Sequence, residues 1–262
     1  MSDKTWDTKI TDIAPNRILL RGYPIDNLMG RVSYPEAFFL TIMGELPKPS
    51  YARVLDAILV SSVDHGVTPP SASAAMTVAS TGNPLNAAIA AGVLAISRFH
   101  GGAIEGCMNL LIDAVSRMRA AGASLEETAG DIVREYRDAG RRLPGFGHRY
   151  HTDDPRTRRL FEIAKQEGVS GQHLDMVVAI ERALHEASGK RLAINVDGAI
   201  AAVLCEMGVN PALANAFFIT SRLPGLVAHI YEEITTQKPM RHIVPDQARY
   251  TGPGQRRIED PL

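Results

Sequence analysis

The densest chemistry in this chain lies between Leu143 and Arg159, which reads Leu-Pro-Gly-Phe-Gly-His-Arg-Tyr-His-Thr-Asp-Asp-Pro-Arg-Thr-Arg-Arg. Gly145 and Gly147 flank an aromatic ring and lead into the titratable His148. Glycine adopts backbone angles closed to other residues and lets a ligand approach the main chain closely. Asp154-Pro155 reads as a helix start, an N-cap followed by a proline whose missing N–H is not needed there. Arg156, Arg158 and Arg159 then crowd the first turn, where free N–H groups and the helix dipole already favour an anion. A glycine-flexed loop followed by a solvated basic helix start is the plain alternative.

Other candidates are scattered. His65 follows Asp64 where a helix over 50–64 gives way to Gly66; read alone, it fits a dipole-favoured histidine as well as a ligand. His100 precedes Gly101-Gly102 in the turn before a helix start, where the positive end of the dipole favours a neutral imidazole able to donate to a developing enolate. It fits a helix–helix corner equally well. Asp197, in Asn195-Val196-Asp197-Gly198, is either an N-cap or a carboxylate at the mouth of an apolar helix, where burial raises its pKa towards one suited to proton transfer. Arg222 precedes Leu223-Pro224-Gly225, an expected break or kink that would aim it inward. Ser188-Gly189-Lys190-Arg191 is a solvated basic turn or a phosphate contact.

The Pro-Gly-Phe-Gly-His-Arg run followed by Asp-Pro-Arg resembles the active-site loop of the citrate synthase family. Arg21-Gly22-Tyr23, Gly44-Glu45-Leu46-Pro47, Asp64-His65, His100-Gly101-Gly102-Ala103, Asn195-Val196-Asp197 and Ala228-His229 resemble further family elements in the same order. The resemblance runs from about residue 17 to 252. It implies that His148 and His65 bind the oxaloacetate or hydroxyl oxygen, and that His100 holds the thioester carbonyl and enol. It gives Asp197 the proton transfer at carbon, and gives Arg156, Arg222 and Arg241 the carboxylates, with Arg241 reaching a neighbouring subunit. Gly145, Gly147, Arg149, Lys190 and Arg191 become the expected coenzyme A contacts. The short run from Pro47 to His65 omits a long segment of typical citrate synthases, and this compact plan is similar to citryl-CoA lyases and the citryl-CoA-cleaving module of ATP-citrate lyase. That module lacks the His of the His-Gly-Gly element, so His100 leans towards citrate synthase chemistry. No metal is required, and the metal-like set His148, His151, Asp153 and Asp154 is better explained by the loop.

Helices must position these groups. Apolar residues recur at helical spacing at Val54, Leu55, Ile58 and Leu59, along 85–96, at Leu125, Ala129, Ile132 and Tyr136, and at Leu174, Val177 and Val178. Further helices are expected over 34–40, from Glu105 to about 120, over 155–167, over 171–187, up to about Met207, and from Asn210-Pro211 onward. Short β-like pieces at 9–11 and 17–20 predict one small hairpin. The expected fold is all-α, a citrate-synthase-like helical fold with a small N-terminal β-hairpin. Its large domain would comprise 1–140 and 200–262, and its small domain 141–199.

The chain has 262 residues and a net charge of -1. Near-neutrality gives no reason to expect nucleic acid or an anionic membrane. Two separated cysteines, Cys107 and Cys205, make no disulfide framework and suit a reducing cytoplasm. The start shows no apolar signal core and the apolar run near 54–63 is too short to span a bilayer, so neither a leader nor a membrane span is expected. The expected activity is cleavage of citryl-CoA to acetyl-CoA and oxaloacetate, with no bound cofactor and the coenzyme A thioester as substrate. The alternatives are a condensing enzyme, a lyase for a related 3-hydroxy-acyl-CoA such as citramalyl-CoA, or a non-catalytic helical partner subunit. A homodimer or larger homo-oligomer is expected.

Overall fold

The amino-terminal segment forms a three-stranded antiparallel meander, β1 (Thr11–Ala14), β2 (Arg17–Leu20) and β3 (Tyr23–Pro24). It exceeds the expected hairpin by one short strand. Asn16 takes the left-handed conformation in the turn, where the pairing closes on Ala14 and Arg17. The structure is a computed structural model and describes residues 6–147, 153–189, 192–242 and 244–255.

Helices follow: α1 (Ile25–Leu28), α2 (Tyr34–Met43), α3 (Pro49–Ser61), α4 (Pro70–Ser80), α5 (Leu85–Leu94), α6 (Ala103–Ala121), α7 (Leu125–Asp138), α8 (Pro155–Gln166), α9 (Gln172–Ser188), α10 (Val196–Glu206) and α11 (Ala214–Thr236). Ser33 and Glu36 form a reciprocal capping box at the start of α2. Arg21 donates from Nε and Nη2 to the Thr41 carbonyl near the other end of α2, tying the sheet to the helices.

Two sequence expectations need correction. The helix expected to reach Gly66 stops at Ser61, so Asp64, His65 and Gly66 stand in a loop. Of the break or kink expected at Leu223-Pro224, the break is absent, because α11 continues through Pro224. Its neighbour Gly225 packs so closely on the Val63 carbonyl and Asp64 that no side chain fits there. Tertiary packing holds this stretch helical despite the donor that proline removes.

The main core gathers α3, α6, α7, α8, α9, α10 and the first turns of α11. Its centre is α10, where Val196 and every residue from Gly198 to Cys205 are buried. A helix apolar on all faces belongs inside a protein. A smaller cluster of Ala75, Ala79, Ala88, Leu226 and Ile230 joins α4 and α5 to α11, its small side chains allowing close approach. Glu206, at the last position of α10, accepts from the His173 and Leu174 amides at 2.7 and 3.1 Å. It thereby caps α9, whose own N-cap Gly171 has no side chain to do so.

The loop before His148 docks on the start of α10. Phe146 bridges Ile194, the Gly147 amide donates to the Ala193 carbonyl at 2.8 Å, and the Asn195 amide donates to the Gly145 carbonyl at 3.0 Å. A Cβ on Gly198 would collide with that Gly145 carbonyl and stand 3.0 Å from Ile194 Cγ2. Gly198→Ala gains about 1 kcal/mol in helix propensity but overpacks backbone against backbone, which costs about 1–3 kcal/mol. We expect a net loss of stability in urea melts; an unchanged or raised midpoint would show that loop and helix are not packed this way.

Candidate active site

Five residues nominated from sequence, His65, His100, Arg156, Asp197 and Arg222, line one cleft of about 110 Å³ together with Asn195, Val196 and Phe218. They arrive from the loop after α3, the α5–α6 turn, and the starts or middles of α8, α10 and α11.

Asp197 sits in the first turn of α10, but it is not the N-cap. Asn195 holds that position and accepts from the Gly198 amide at 3.1 Å, while its Nδ2 donates to the Gly147 carbonyl at 2.8 Å. The Asp197 carboxyl is thereby spared the capping role. Burial raises its pKa, Arg156 and Arg222 pull it down, Asp154 pushes it up, and the balance lies at about 6.

His100 is held by a tight turn in which Ser97 and His100 exchange two backbone hydrogen bonds of 2.8 Å. Gly101 has φ 83° and is pressed against Phe218, so the turn excludes a side chain there. His100 Nε2 lies 2.8 Å from Ser71 Oγ, and its ring meets the Phe218 ring edge-on at 5.6 Å. Burial lowers its pKa first, with Arg222 and His65 adding to the effect. The ring is therefore a neutral imidazole near neutral pH, as the position before a helix start predicts.

Arg222 is almost wholly buried, with 3% of its surface exposed. Nε donates to the Ser62 carbonyl at 2.9 Å, the guanidinium lies 5.0 Å from the Phe218 ring centre, and Nη1 is buried with no hydrogen-bond partner among the described residues. A buried, unpaired guanidinium nitrogen is costly unless it serves an anion. Asp64, just before His65, is anchored by His229 Nε2 at 2.9 Å and by the Gly66 amide at 2.8 Å. Burial opposes ionisation of Asp64, but these hydrogen bonds and His229 together hold its pKa below the ordinary value.

Not every nominated residue meets at this cleft. His148, Arg149, Lys190 and Arg191 lie outside the described residues. Gly145 (φ 85°) is packed against Cys107 and Gly198 and serves the docking of the loop. Gly147 lines a separate groove of about 650 Å³ with Arg137, Arg141, Arg142, Phe146, Leu184, Ser188 and Leu192. Within its own chain Arg241 grips the buried Glu233, its Nη2 2.6 Å from Oε2. Among the described residues no cluster of His, Cys, Asp and Glu could hold a metal ion, and no helix is long and apolar enough to cross a membrane. Sequence reasoning missed Asn195, Val196 and Phe218 as lining of the cleft, and Ser71 as the partner of His100. Only Asn195 carried a local signal, as a cap residue before an apolar helix.

Residues 39–243 match the model of the citrate synthase C-terminal domain family. Citrate synthase of Haloferax volcanii is 32% identical over 220 residues, covering 82% of this chain and 54% of that protein; the chain thus spans about half the length of such curated relatives. The structure of citryl-CoA lyase from Hydrogenobacter thermophilus superposes with a TM-score of 0.89 at 43% identity, covering 98% of each chain. ATP citrate lyase from Methanothrix soehngenii, solved with citrate and coenzyme A, shares the fold with a TM-score of 0.84 at 20% identity, covering 97% of this chain and 43% of that one.

The acidity of Asp197 bears on stability. Its pKa rises from 3.8 unfolded to about 6 folded, so the folded state holds the proton more tightly between these values. Its contribution therefore worsens as pH rises through that window and stays unfavourable above it, by roughly 3 kcal/mol. Asp197→Asn should stabilise the protein near neutral pH by about 2–3 kcal/mol and little near pH 4. Urea melts of both proteins across that range check this; an equal effect at both pH values would contradict the raised pKa.

Proposed function

The chain belongs to the citrate synthase family, and from that premise we propose that it cleaves citryl-CoA to acetyl-CoA and oxaloacetate. The observation that carries the proposal is the convergence on one cleft of a neutral imidazole, a carboxyl of raised pKa and a buried guanidinium with a nitrogen unpaired among the described residues. The likeness to citryl-CoA lyase along 98% of both chains supports the lyase direction.

In the proposed step a base takes the hydroxyl proton of citryl-CoA, the role the family loop gives to His148. The oxygen lone pair forms the ketone of oxaloacetate as the C–C bond breaks. That bonding pair moves onto the acetyl-CoA fragment as an enolate. His100 donates a hydrogen bond to the enolate oxygen, and Asp197, protonated, delivers its proton to carbon. Atoms and charge balance without cofactor or metal. Arg222 and Arg156 hold the carboxylates of the acid, and His65 donates to the oxygen at the reacting carbon. An acid or base of this kind supplies roughly 10²–10⁴-fold, and an enolate donor about 3 kcal/mol more. The 650 Å³ groove beside Gly147, with Arg137, Arg141 and Arg142 on its walls, suits the phosphates and adenine of coenzyme A. The assembly we propose is a homo-oligomer in which Arg241 exchanges Glu233 for a carboxylate in a neighbouring subunit's cleft.

Condensation of acetyl-CoA with oxaloacetate is the second reading, favoured by relatives that are citrate synthases. Two assays decide. Citryl-CoA should yield oxaloacetate, read by coupled reduction to malate. Acetyl-CoA with oxaloacetate should release free thiol slowly or not at all; rapid release would favour the synthase. Asp197→Asn should lower kcat for cleavage by about 10²–10⁴-fold. Protein that binds coenzyme A and turns over neither mixture would instead be a non-catalytic partner subunit.

A further inference from the structure

Asp154 was legible as a helix cap, yet the structure gives it more to do. It is 2% exposed and caps α8 by accepting from the Arg156 amide at 3.0 Å. It also accepts from the Arg156 side chain twice, Nε on Oδ1 at 2.9 Å and Nη2 on Oδ2 at 2.8 Å. Oδ2 further accepts from the Val196 amide at 3.3 Å, the first residue of α10. One buried carboxylate thus serves two helix starts and a guanidinium fork. Both helix starts and the guanidinium favour its ionised form.

We propose that Asp154 is the positioning residue of this cleft: it locks Arg156 and the start of α10 into one unit, setting the place of Arg156 against the substrate acid and the place of Asp197 against the reacting carbon. The inference rests on the function proposed above for what Arg156 and Asp197 do there. It does not rest on it for the geometry. A simple N-cap needs one carboxylate oxygen; here the second is committed to an element 42 residues away. Thr157 supports the same junction through a neutral bond, Oγ1 to the Ile194 carbonyl at 3.1 Å.

The charge of Asp154 matters as well as its reach. Arg156 and Arg222 both draw Asp197 towards ionisation, and Asp154 opposes them. Among the described residues, the other titratable groups around Asp197 are Cys107 of α6, whose buried thiol is pushed far up, and His65 and His100 across the cleft. Removing the charge of Asp154 leaves Arg156 uncompensated beside Asp197. Both changes push in one direction, towards a lower pKa for Asp197.

The experiment compares wild type, Asp154→Asn, Asp154→Glu and Thr157→Val. Carboxyl ¹³C NMR titration, with Asp197→Asn identifying the signal, follows Asp197 in the free protein and needs no turnover. In Asp154→Asn, which keeps the cap but loses the charge, the Asp197 midpoint should fall by about one pH unit. The KM for the substrate acid should rise on the order of tenfold. In cleavage, which needs Asp197 protonated, the basic limb of kcat should move to lower pH by the same amount. Thr157→Val should lower thermal stability and leave the midpoint unmoved. An unmoved midpoint in folded Asp154→Asn overturns the proposal. If that variant does not fold, Asp154→Glu decides: it keeps the charge on a longer arm, so the midpoint should stay near 6 while Arg156 is displaced and KM rises. A wild-type KM there overturns the proposal. Wild-type protein with no turnover would defeat the functional reading alone, because the titration would still report whether Asp154 sets the state of Asp197.

Discussion

A helix buried on every face must still satisfy the first amides of its backbone, and that requirement at α10 organises the site. Water cannot reach those N–H groups, and leaving one unpaired costs as much as a broken hydrogen bond or more. The chain answers at four amides of this stretch. Glu181 from α9 takes the Ile194 amide, the Gly145 carbonyl takes that of Asn195, Asp154 takes that of Val196, and the Asn195 side chain takes that of Gly198. Each partner comes from a different part of the sequence. Satisfying one helix start therefore draws in α9, the glycine loop and the start of α8, and it leaves Asp197 as the first-turn residue whose side chain is not consumed.

The same junction explains how charges are tolerated there. An isolated buried ion is expensive, so buried charges come paired or bonded. Asp154 takes Arg156. The Ser62 carbonyl and the Phe218 face take most of Arg222. Asp197 feels the guanidiniums of Arg156 and Arg222, but burial outweighs them and moves its pKa to about 6, where it can hold or release a proton near neutrality. His100 is moved the opposite way, towards the neutral ring. Environments that drive an acid up and a base down within one cleft are those in which proton transfer is shared between them. They also store instability, since a polar group held in the wrong solvent weakens the fold that holds it.

Much of this was readable from the residues. Helical periodicity located the long elements, because a 3.6-residue stripe survives any tertiary arrangement. Asp154 followed by Pro155 marked the start of α8, and Asp154 uses its side chain there as expected. What failed depended on distant partners. Pro224 looked like a break because the local rule is strong; only the packing of Gly225 under the Val63 carbonyl reveals why the helix persists. Asp197 could be read as a cap or as a free carboxylate, since Asn195 and Asp197 are both good caps two residues apart. The hydrogen bonds Asn195 donates to the Gly145 and Gly147 carbonyls select it. Ser71 carried no signal at all, because its meaning comes from His100, on another helix junction.

Two hollows are lined in part by segment 192–197, and that bears on how one substrate could use them. The small cleft is lined by Asn195, Val196 and Asp197, and the larger groove by Leu192 and, across the backbone pairing, Phe146 and Gly147. Under the proposed reaction the acid end of citryl-CoA is compact and doubly charged, and suits the small cleft with its guanidiniums. The remainder is long, with an adenine to stack and phosphates to neutralise, and suits a roomier groove walled by leucines, an aromatic ring and arginines. The bond to be broken lies between these two ends, and the carboxyl that moves the proton stands at the start of α10, beside the segment that both hollows share. A shift of that segment would disturb acid binding, thioester binding and proton transfer together, which is why so many hydrogen bonds from so many helices converge on it.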